Sequence, residues 1–369
     1  MSRATSALPA ALSAERIEEY LSRLLDAPAR VVSVAPLQGE SAEEIKSYGY
    51  GVPLLVDYEA RGRTFRVVLE TMAPGPFGHE HKADRAAAMI WGNDVFPRLP
   101  RHVRSLDVGA ILPDRLVSVG RAEEFFVLTE FASGGQYARD LDRIMHAGRL
   151  SDLDRDRCAA LAAYLAEIHA VRGPDPGLYV RRIRELVGHG ECLMGLADSY
   201  PADFPPAPPS FLEEVEVAAV RWRWRIKNRT DRLRQVHGDF HPWNILFREG
   251  TDFSVLDRAR GEWGEPADDV TSLSINYLFE ALRSTGRFEG PFADLFKLFW
   301  SEYLERTGDR EVLETAAPFF AFRGLVIASP LWYPTLARNV REAVFLFIRR
   351  VLAADRFDPE LVERYLSGE

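Results

Sequence analysis

Three oxygen-bearing side chains stand close together in the run Val236-His-Gly-Asp-Phe-His-Pro-Trp-Asn-Ile-Leu-Phe247 and its continuation Ser254-Val-Leu-Asp257. Asp239 and Asn244 are five positions apart, and Asp257 closes the second segment. Phosphoryl transfer from ATP is mostly positioning and charge neutralisation. It needs one carboxylate to orient the attacking hydroxyl and oxygen ligands to hold Mg²⁺ against the phosphates. Two acids and an amide can supply that set.

The elements around them follow from local chemistry. Gly238 and Pro242 forbid a helix across the first run, so Asp239 and Asn244 lie on a loop. Ile245-Leu-Phe247 reads as a short strand, Arg248-Glu-Gly-Thr-Asp252 as a turn, and Phe253-Ser-Val-Leu256 as a second strand. The resulting hairpin returns Asp257 to the side of Asn244. Taken singly, Asp and Asn are ordinary loop residues that bond their own backbone. Their joint spacing, with the His-Gly lead and a strand ending in Asp257, argues for a site. His237 reads as a buried histidine bonding the loop backbone, whereas His241 is open between loop packing and substrate contact.

The spacing from His237-Gly-Asp239 to Asn244 is that of the kinase pattern H-R-D-x-x-x-x-N. The stretch resembles the aminoglycoside phosphotransferase and choline kinase family, whose loop typically reads HGDxHxxN. Two further segments fit. Asp152–Val171 reads as a helix with Leu161, Leu165 and Ile168 inward and His169 near its end, similar to the family's LAxLH helix. Arg258-Ala-Arg-Gly-Glu-Trp-Gly-Glu-Pro-Ala-Asp-Asp269 resembles its segment ending GxPxxDLA, in which Asp269 would be a structural acid.

The resemblance implies an α+β, two-lobed protein-kinase-like fold with a small antiparallel-sheet N-lobe and a larger, mostly helical C-lobe. It implies an N-terminal extension and helix over 1–29, a nucleotide-binding lobe over 30–131 and a catalytic, substrate-binding lobe over 132–369. The implied cofactors are ATP and Mg²⁺, with Asp239 as catalytic base and Asn244 and Asp257 as metal ligands. The acceptor would be a hydroxyl of a small molecule. Two other readings stay open: a nucleotide-binding pseudokinase, and a kinase acting on a protein or peptide.

Toward the N-terminus, Ser13 caps a helix to Leu25 with Ile17, Tyr20, Leu21, Leu24 and Leu25 on one face. Strands are expected at Val31–Leu37, Pro53–Tyr58 and Thr64–Glu70, with Arg61-Gly-Arg63 as a tight turn. Between the first two lies Gln38–Gly51, where Gly39, Gly49 and Gly51 could approach phosphate or simply serve a hairpin, and which also carries Glu40, Glu43 and Glu44.

The family places Lys or Arg at the end of the third strand, and this chain has Glu70. Alternation puts Arg66, Val68 and Glu70 on one face. Arg66, Lys82 and Arg85 are the nearby cations, and Glu70 is expected to pair with one of them; singly, Lys82 and Arg85 also read as solvated helix charges. Nucleotide contacts are assigned to Val68, Arg66 and Lys82. The segment Glu124–Phe131, expected as a buried strand, resembles the family's hinge before its second lobe, which implies that backbone groups of Glu130, Phe131 and Ala132 meet the adenine.

The chain has 369 residues, 47% of them hydrophobic, enough for a sizeable core. A net charge of −9 argues against a general binder of nucleic acid or anionic membrane. Two cysteines make neither a disulfide framework nor a zinc site, which points to a reducing cytoplasm. Met1–Ala11 lacks the apolar core of a signal peptide. The uncharged run Gly324–Ala337 is shorter than the roughly 20 residues a membrane span needs. The proline-dense Tyr200–Pro209 must be loop, Phe211–Thr230 a helix, and Leu273–Gly368 helical by period, with Phe319, Phe320, Trp332 and Tyr333 as core or pocket wall. The sequence does not set the oligomeric state.

Overall fold

The computed structural model describes residues 12–37, 51–258 and 260–367, which form two compact units, Met1–Thr129 and Glu130–Glu369. The glycines and acids expected at 39–49 lie outside the described residues.

In the first unit, Ser13 caps helix α1 (Ala14–Leu25) by accepting from the Arg16 amide. Strands β1 (Ala29–Pro36), β2 (Leu54–Ala60) and β3 (Arg63–Leu69) form an antiparallel sheet in chain order. The β2–β3 turn is Arg61-Gly62, both at positive φ (50° and 73°), the two-residue geometry whose twist matches that of the flanking strands. Strict alternation in β2 buries Leu54, Val56, Tyr58 and Ala60, which cluster with Ile17 and Leu21 of α1. The opposite face carries Asp57 paired across from Arg66 and Leu55 across from Val68. Helix α2 (Lys82–Val95) begins at Lys82, and a two-stranded hairpin follows, β4 (Gly109–Ile111) with β5 (Leu116–Ser118).

The buried strand expected over Glu124–Phe131 is not formed. A strand needs a neighbour for its amides and carbonyls, and among the described residues nothing pairs with this segment; Phe126 is 92% exposed and Phe131 94%. Pairing begins only at β6 (Gly135–Gln136), which joins the strands after the Asp239 loop.

The second unit is helical apart from short strands. Helices α3 (Tyr137–Ala147), α4 (Asp152–His169), α5 (Gly177–Gly188), α6 (Leu193–Asp198) and α7 (Pro209–Ile226) precede β7 (Arg234–Gln235). Then come β8 (Ile245–Phe247), β9 (Phe253–Val255), β10 (Trp263–Gly264), α8 (Ala267–Thr285), α9 (Gly290–Thr307), α10 (Val312–Ala328), α11 (Arg338–Ala353) and α12 (Val362–Leu366). Helix α4 packs along α9, α8 lies on α9 and α10, and α10 lies on α11. Trp300, Phe320 and Phe357 interlock at this centre, with the Phe320 and Phe357 rings 4.6 Å apart. Phe319 and Phe320 are core, as one of the two expectations had it, while Trp332 is exposed and Tyr333 sits edge-on to Phe279. Gly324 lets α11 approach, since a Cβ there would lie 2.7 Å from Ile348 Cγ1. The molecule is therefore α+β, a small antiparallel-sheet unit followed by a larger helical one. Among the described residues no helix is long and apolar enough to cross a membrane.

Candidate active site

The Asp239 loop is held from beneath by Asp269 at the start of α8. This fully buried carboxylate accepts from the His237 and Gly238 amides, each at 2.7 Å, and from His169 Nε2 at 3.1 Å. His169 is fixed in turn by the Tyr303 hydroxyl, 2.8 Å from its Nδ1. Burial pushes the Asp269 carboxyl up, but the two histidines and the amides outweigh it and leave it below the ordinary carboxylate range. Asp269 is thus the structural acid that the sequence suggests. His237 is buried, and its Nδ1 accepts from the Asp239 amide at 3.3 Å, a backbone role. Burial lowers its pKa and keeps the ring neutral. Gly238 turns the chain at φ 85°, and a Cβ there would stand 3.3 Å from Arg182 Nη2 and 3.4 Å from Arg260 Cβ.

Beyond Asp239 the chain makes one tight turn at Pro242–Asn244 and enters β8. Asn244 Nδ2 donates to the Asp239 carbonyl at 3.1 Å, so the two side chains belong to one local structure. The β8–β9 hairpin is closed by Arg248 on Asp252 (2.8 Å between Nη2 and Oδ1) and pairs Ile245 with Val255. The Leu256 amide then donates to the Asn244 carbonyl at 2.8 Å, which returns Asp257 to the neighbourhood of Asn244. Arg258 ties the segment back to the loop, donating to the Val236 carbonyl at 2.7 Å. Asp257 adopts the left-handed conformation at φ 56°, which Asp tolerates better than most residues and which is common where geometry serves function.

Asp239 itself is gripped by cations. Arg260 Nη1 is 3.1 Å from its Oδ1, Arg323 of α10 donates to the same oxygen, and His241 Nε2 stands 3.6 Å from Oδ2. Burial pushes the Asp239 carboxyl up, but His241, Arg323 and Arg260 together hold it far below the ordinary carboxylate range. Arg323 Nη2 also donates to the Gly238 carbonyl at 2.9 Å and to Asp268 Oδ1 at 2.7 Å, and Arg182 Nη2 meets Asp268 Oδ2 at 2.6 Å.

Asn244 and Asp257 suit a hard cation. With its amide nitrogen donated to Asp239, Asn244 has an Oδ1 that accepts no hydrogen bond among the described residues, and the exposed Asp257 carboxylate likewise has no partner there. Two oxygen donors leave positions for phosphate oxygens and water, as Mg²⁺ sites commonly do. Among the described residues no cluster of three or more His, Cys, Asp or Glu side chains could hold a metal without such help.

The remaining expected residues are dispersed. Glu130 and Phe131 are exposed at the start of the second unit, with Ala132 half-buried. In the first unit Val68 and Arg66 share the sheet face opposite α1, and Lys82 is exposed at the first position of α2. The expected pairing of Glu70 is not made. Arg66 bonds Asp57 at 2.7 Å, directly across the strand pair, and Arg85 donates to the His79 and Glu80 carbonyls at 2.8 and 2.9 Å. Glu70 is exposed, with no ion-pair partner among the described residues. Arg66 and Arg85 are thus engaged by nearer acceptors, and exposed Lys82 makes no ion pair among the described residues.

Arg182, Arg260, Asp268 and Arg323 are the residues that sequence reasoning missed. Arg323 had a signal: it is the one charged residue in Ala316-Ala-Pro-Phe-Phe-Ala-Phe-Arg-Gly-Leu-Val-Ile-Ala328, and a charge inside an apolar helix must be paired.

Some solved structures of small-molecule kinases are similar to the chain at low identity. An amicoumacin kinase, hAmiN, in complex with AMP-PNP, Ca²⁺ and Ami, is 16% identical with a TM-score of 0.40, covering 89% of this chain and 91% of that one. Choline kinase LicA from Streptococcus pneumoniae is 13% identical with a TM-score of 0.33, covering 92% and 98%. An ethanolamine kinase from Plasmodium vivax is 12% identical with a TM-score of 0.34, covering 89% and 82%. No curated protein matches the sequence. Residues 76–302, more than half of the chain and the whole Asp239–Asp257 segment, match the APH family of phosphotransferases. The chain belongs to the phosphotransferase enzyme family.

Proposed function

We propose that the protein transfers the γ-phosphate of ATP to a hydroxyl of a small molecule with Mg²⁺. The observation that carries this reading is the junction of Asp239, Asn244 and Asp257 on one braced loop and hairpin. Asp239 orients the acceptor hydroxyl. The acceptor oxygen bonds to the γ-phosphorus as the bond from that phosphorus to the bridging oxygen breaks, ADP leaves, and the hydroxyl proton passes to Asp239. Because cations keep Asp239 a weak base, its contribution is orientation, with proton transfer late, as suits a loose transition state. Asn244 Oδ1 and the Asp257 carboxylate would hold Mg²⁺, which when bound neutralises charge on the phosphates. Nucleotide contacts are assigned to Glu130, Phe131 and Ala132 in the second unit. Val68, Lys82 and Arg66 are assigned the same role in the first, Arg66 by leaving Asp57.

Titration calorimetry of the full chain with ATP tests the nucleotide half of the reading. Binding that strengthens with Mg²⁺ is expected, and binding indifferent to Mg²⁺ would remove the metal roles of Asn244 and Asp257. One observation favours a second reading, a nucleotide-binding protein without turnover: Glu70, where a basic residue is expected, has no ion-pair partner among the described residues. Metal-dependent binding with no phosphorylated product from any acceptor would select it.

A further inference from the structure

Three arginines stand around Asp239 and Asp268, and among the described residues these two are the carboxylates within hydrogen-bonding distance of them. Arg182, Arg323 and Asp268 are buried, and Asp239, the second carboxylate that Arg323 serves, is half-buried. Two cations here meet two anions. Arg260 is a third cation. It shares Asp239 Oδ1 with Arg323, and its other carboxylate neighbour, Glu191, is mostly solvated with Oε2 3.7 Å from Arg260 Nε, beyond a hydrogen bond.

The Arg260 side chain is also the one of the three that reaches solvent, 20% exposed against 6% for Arg323 and 9% for Arg182. The Phe322 ring lies 5.3 Å from its guanidinium and steadies it. A surplus guanidinium therefore stands at the carboxylate that would orient the acceptor hydroxyl.

We propose that the acceptor alcohol carries an anionic group, a carboxylate or a phosphate monoester, and that Arg260 binds it. This rests on the phosphotransferase reading. An anion on the acceptor gives the planar guanidinium fork a partner of its own, in a geometry that carboxylate and phosphate both match. An amine on the acceptor would instead bring like charge against Arg260. Moving Arg260 onto the anion also relieves the crowding at Asp239 Oδ1, so binding the correct acceptor exposes the carboxylate that must orient its hydroxyl.

The test is titration calorimetry on the full chain with four probes: hydroxybutyrate, its amide, aminobutanol and glycerol phosphate. Each is run with MgADP and again without nucleotide, so that a failure of nucleotide binding, which would sink the kinase reading, leaves the order of probe affinities measurable. The two anionic probes are expected to bind about tenfold or more tighter than the neutral amide, the effect of one charge-assisted pair. Aminobutanol is expected to be weakest. The tighter of hydroxybutyrate and glycerol phosphate tells which anion the site takes. Arg260→Ala should abolish the preference and Arg260→Lys should keep its order. Tighter binding of aminobutanol, no binding of either anionic probe, or an undiminished anion preference in Arg260→Ala would overturn the proposal.

Discussion

Arg323 of α10 donates to the carboxylate of Asp239, 84 residues away in the chain. The same guanidinium bonds the Gly238 carbonyl and Asp268, so it fixes the backbone and the side chain of the loop together. Burial opposes the charge on Arg323, but Asp268 and Asp239 outweigh it and raise its pKa.

Arg323→Gln is therefore expected to lower kcat about 10²-fold, the scale of a small misplacement of a reacting group. It should also change the pH profile. Asp239 acts ionised, so activity is lost as pH falls through its pKa; removing a cation raises that pKa, and the acid limb must begin at a higher pH. Arg323→Lys, which keeps the charge without the fork, should restore the limb but not the full rate. A pH–rate profile that drops uniformly without moving would leave Arg323 a structural residue only.

Asp269 should matter for stability before it matters for rate. Asp269→Ala leaves the buried His237 and Gly238 amides without acceptors, at about 1–3 kcal/mol each. Urea unfolding should show a loss of roughly 2–6 kcal/mol on that basis. A loss under about 0.5 kcal/mol, the size of an ordinary surface substitution, would mean that the loop does not hang from this carboxylate.

For the metal, Asp257→Ala and Asn244→Ala should both weaken ATP binding in the presence of Mg²⁺ and leave metal-free binding little changed. The loss from Asp257→Ala should be larger, because its carboxylate brings a full negative charge to the cation while Asn244 brings a dipole. Equal affinities for wild type and Asp257→Ala in Mg²⁺ would show that the hairpin does not deliver Asp257 to a metal.

What could be read from the sequence was local. The Asp239 loop, the β8–β9 hairpin and the Asp269 brace lie within one short stretch whose glycine, proline and strand signals fix its path. In β2 and β3 the alternation that puts 66 and 68 on one face was likewise legible, because strand register follows from a two-residue turn, whereas Glu70, expected in the same strand, falls just past its end at Leu69. The pairing of Glu70 was not legible, since Asp57 stands opposite Arg66 only once β2 and β3 are aligned. The segment Glu124–Phe131 has strand-like composition, yet composition cannot supply a hydrogen-bonding neighbour. Of the arginines on Asp239, Arg323 comes from a helix 84 residues away, while Arg260 is only 21 residues on, but a charged residue read alone looks solvated. Only the apolar surroundings of Arg323 marked it as buried.

The central claim is that Asp239 orients an acceptor hydroxyl for transfer from ATP. Phosphorus NMR of MgATP incubated with a panel of alcohols measures it most directly, wild type beside Asp239→Asn. The account predicts that a phosphomonoester and ADP appear together with wild type. In Asp239→Asn their formation should fall by about 10²–10⁴-fold, the usual worth of such a group, while nucleotide still binds. Transfer at the wild-type rate in Asp239→Asn would contradict it.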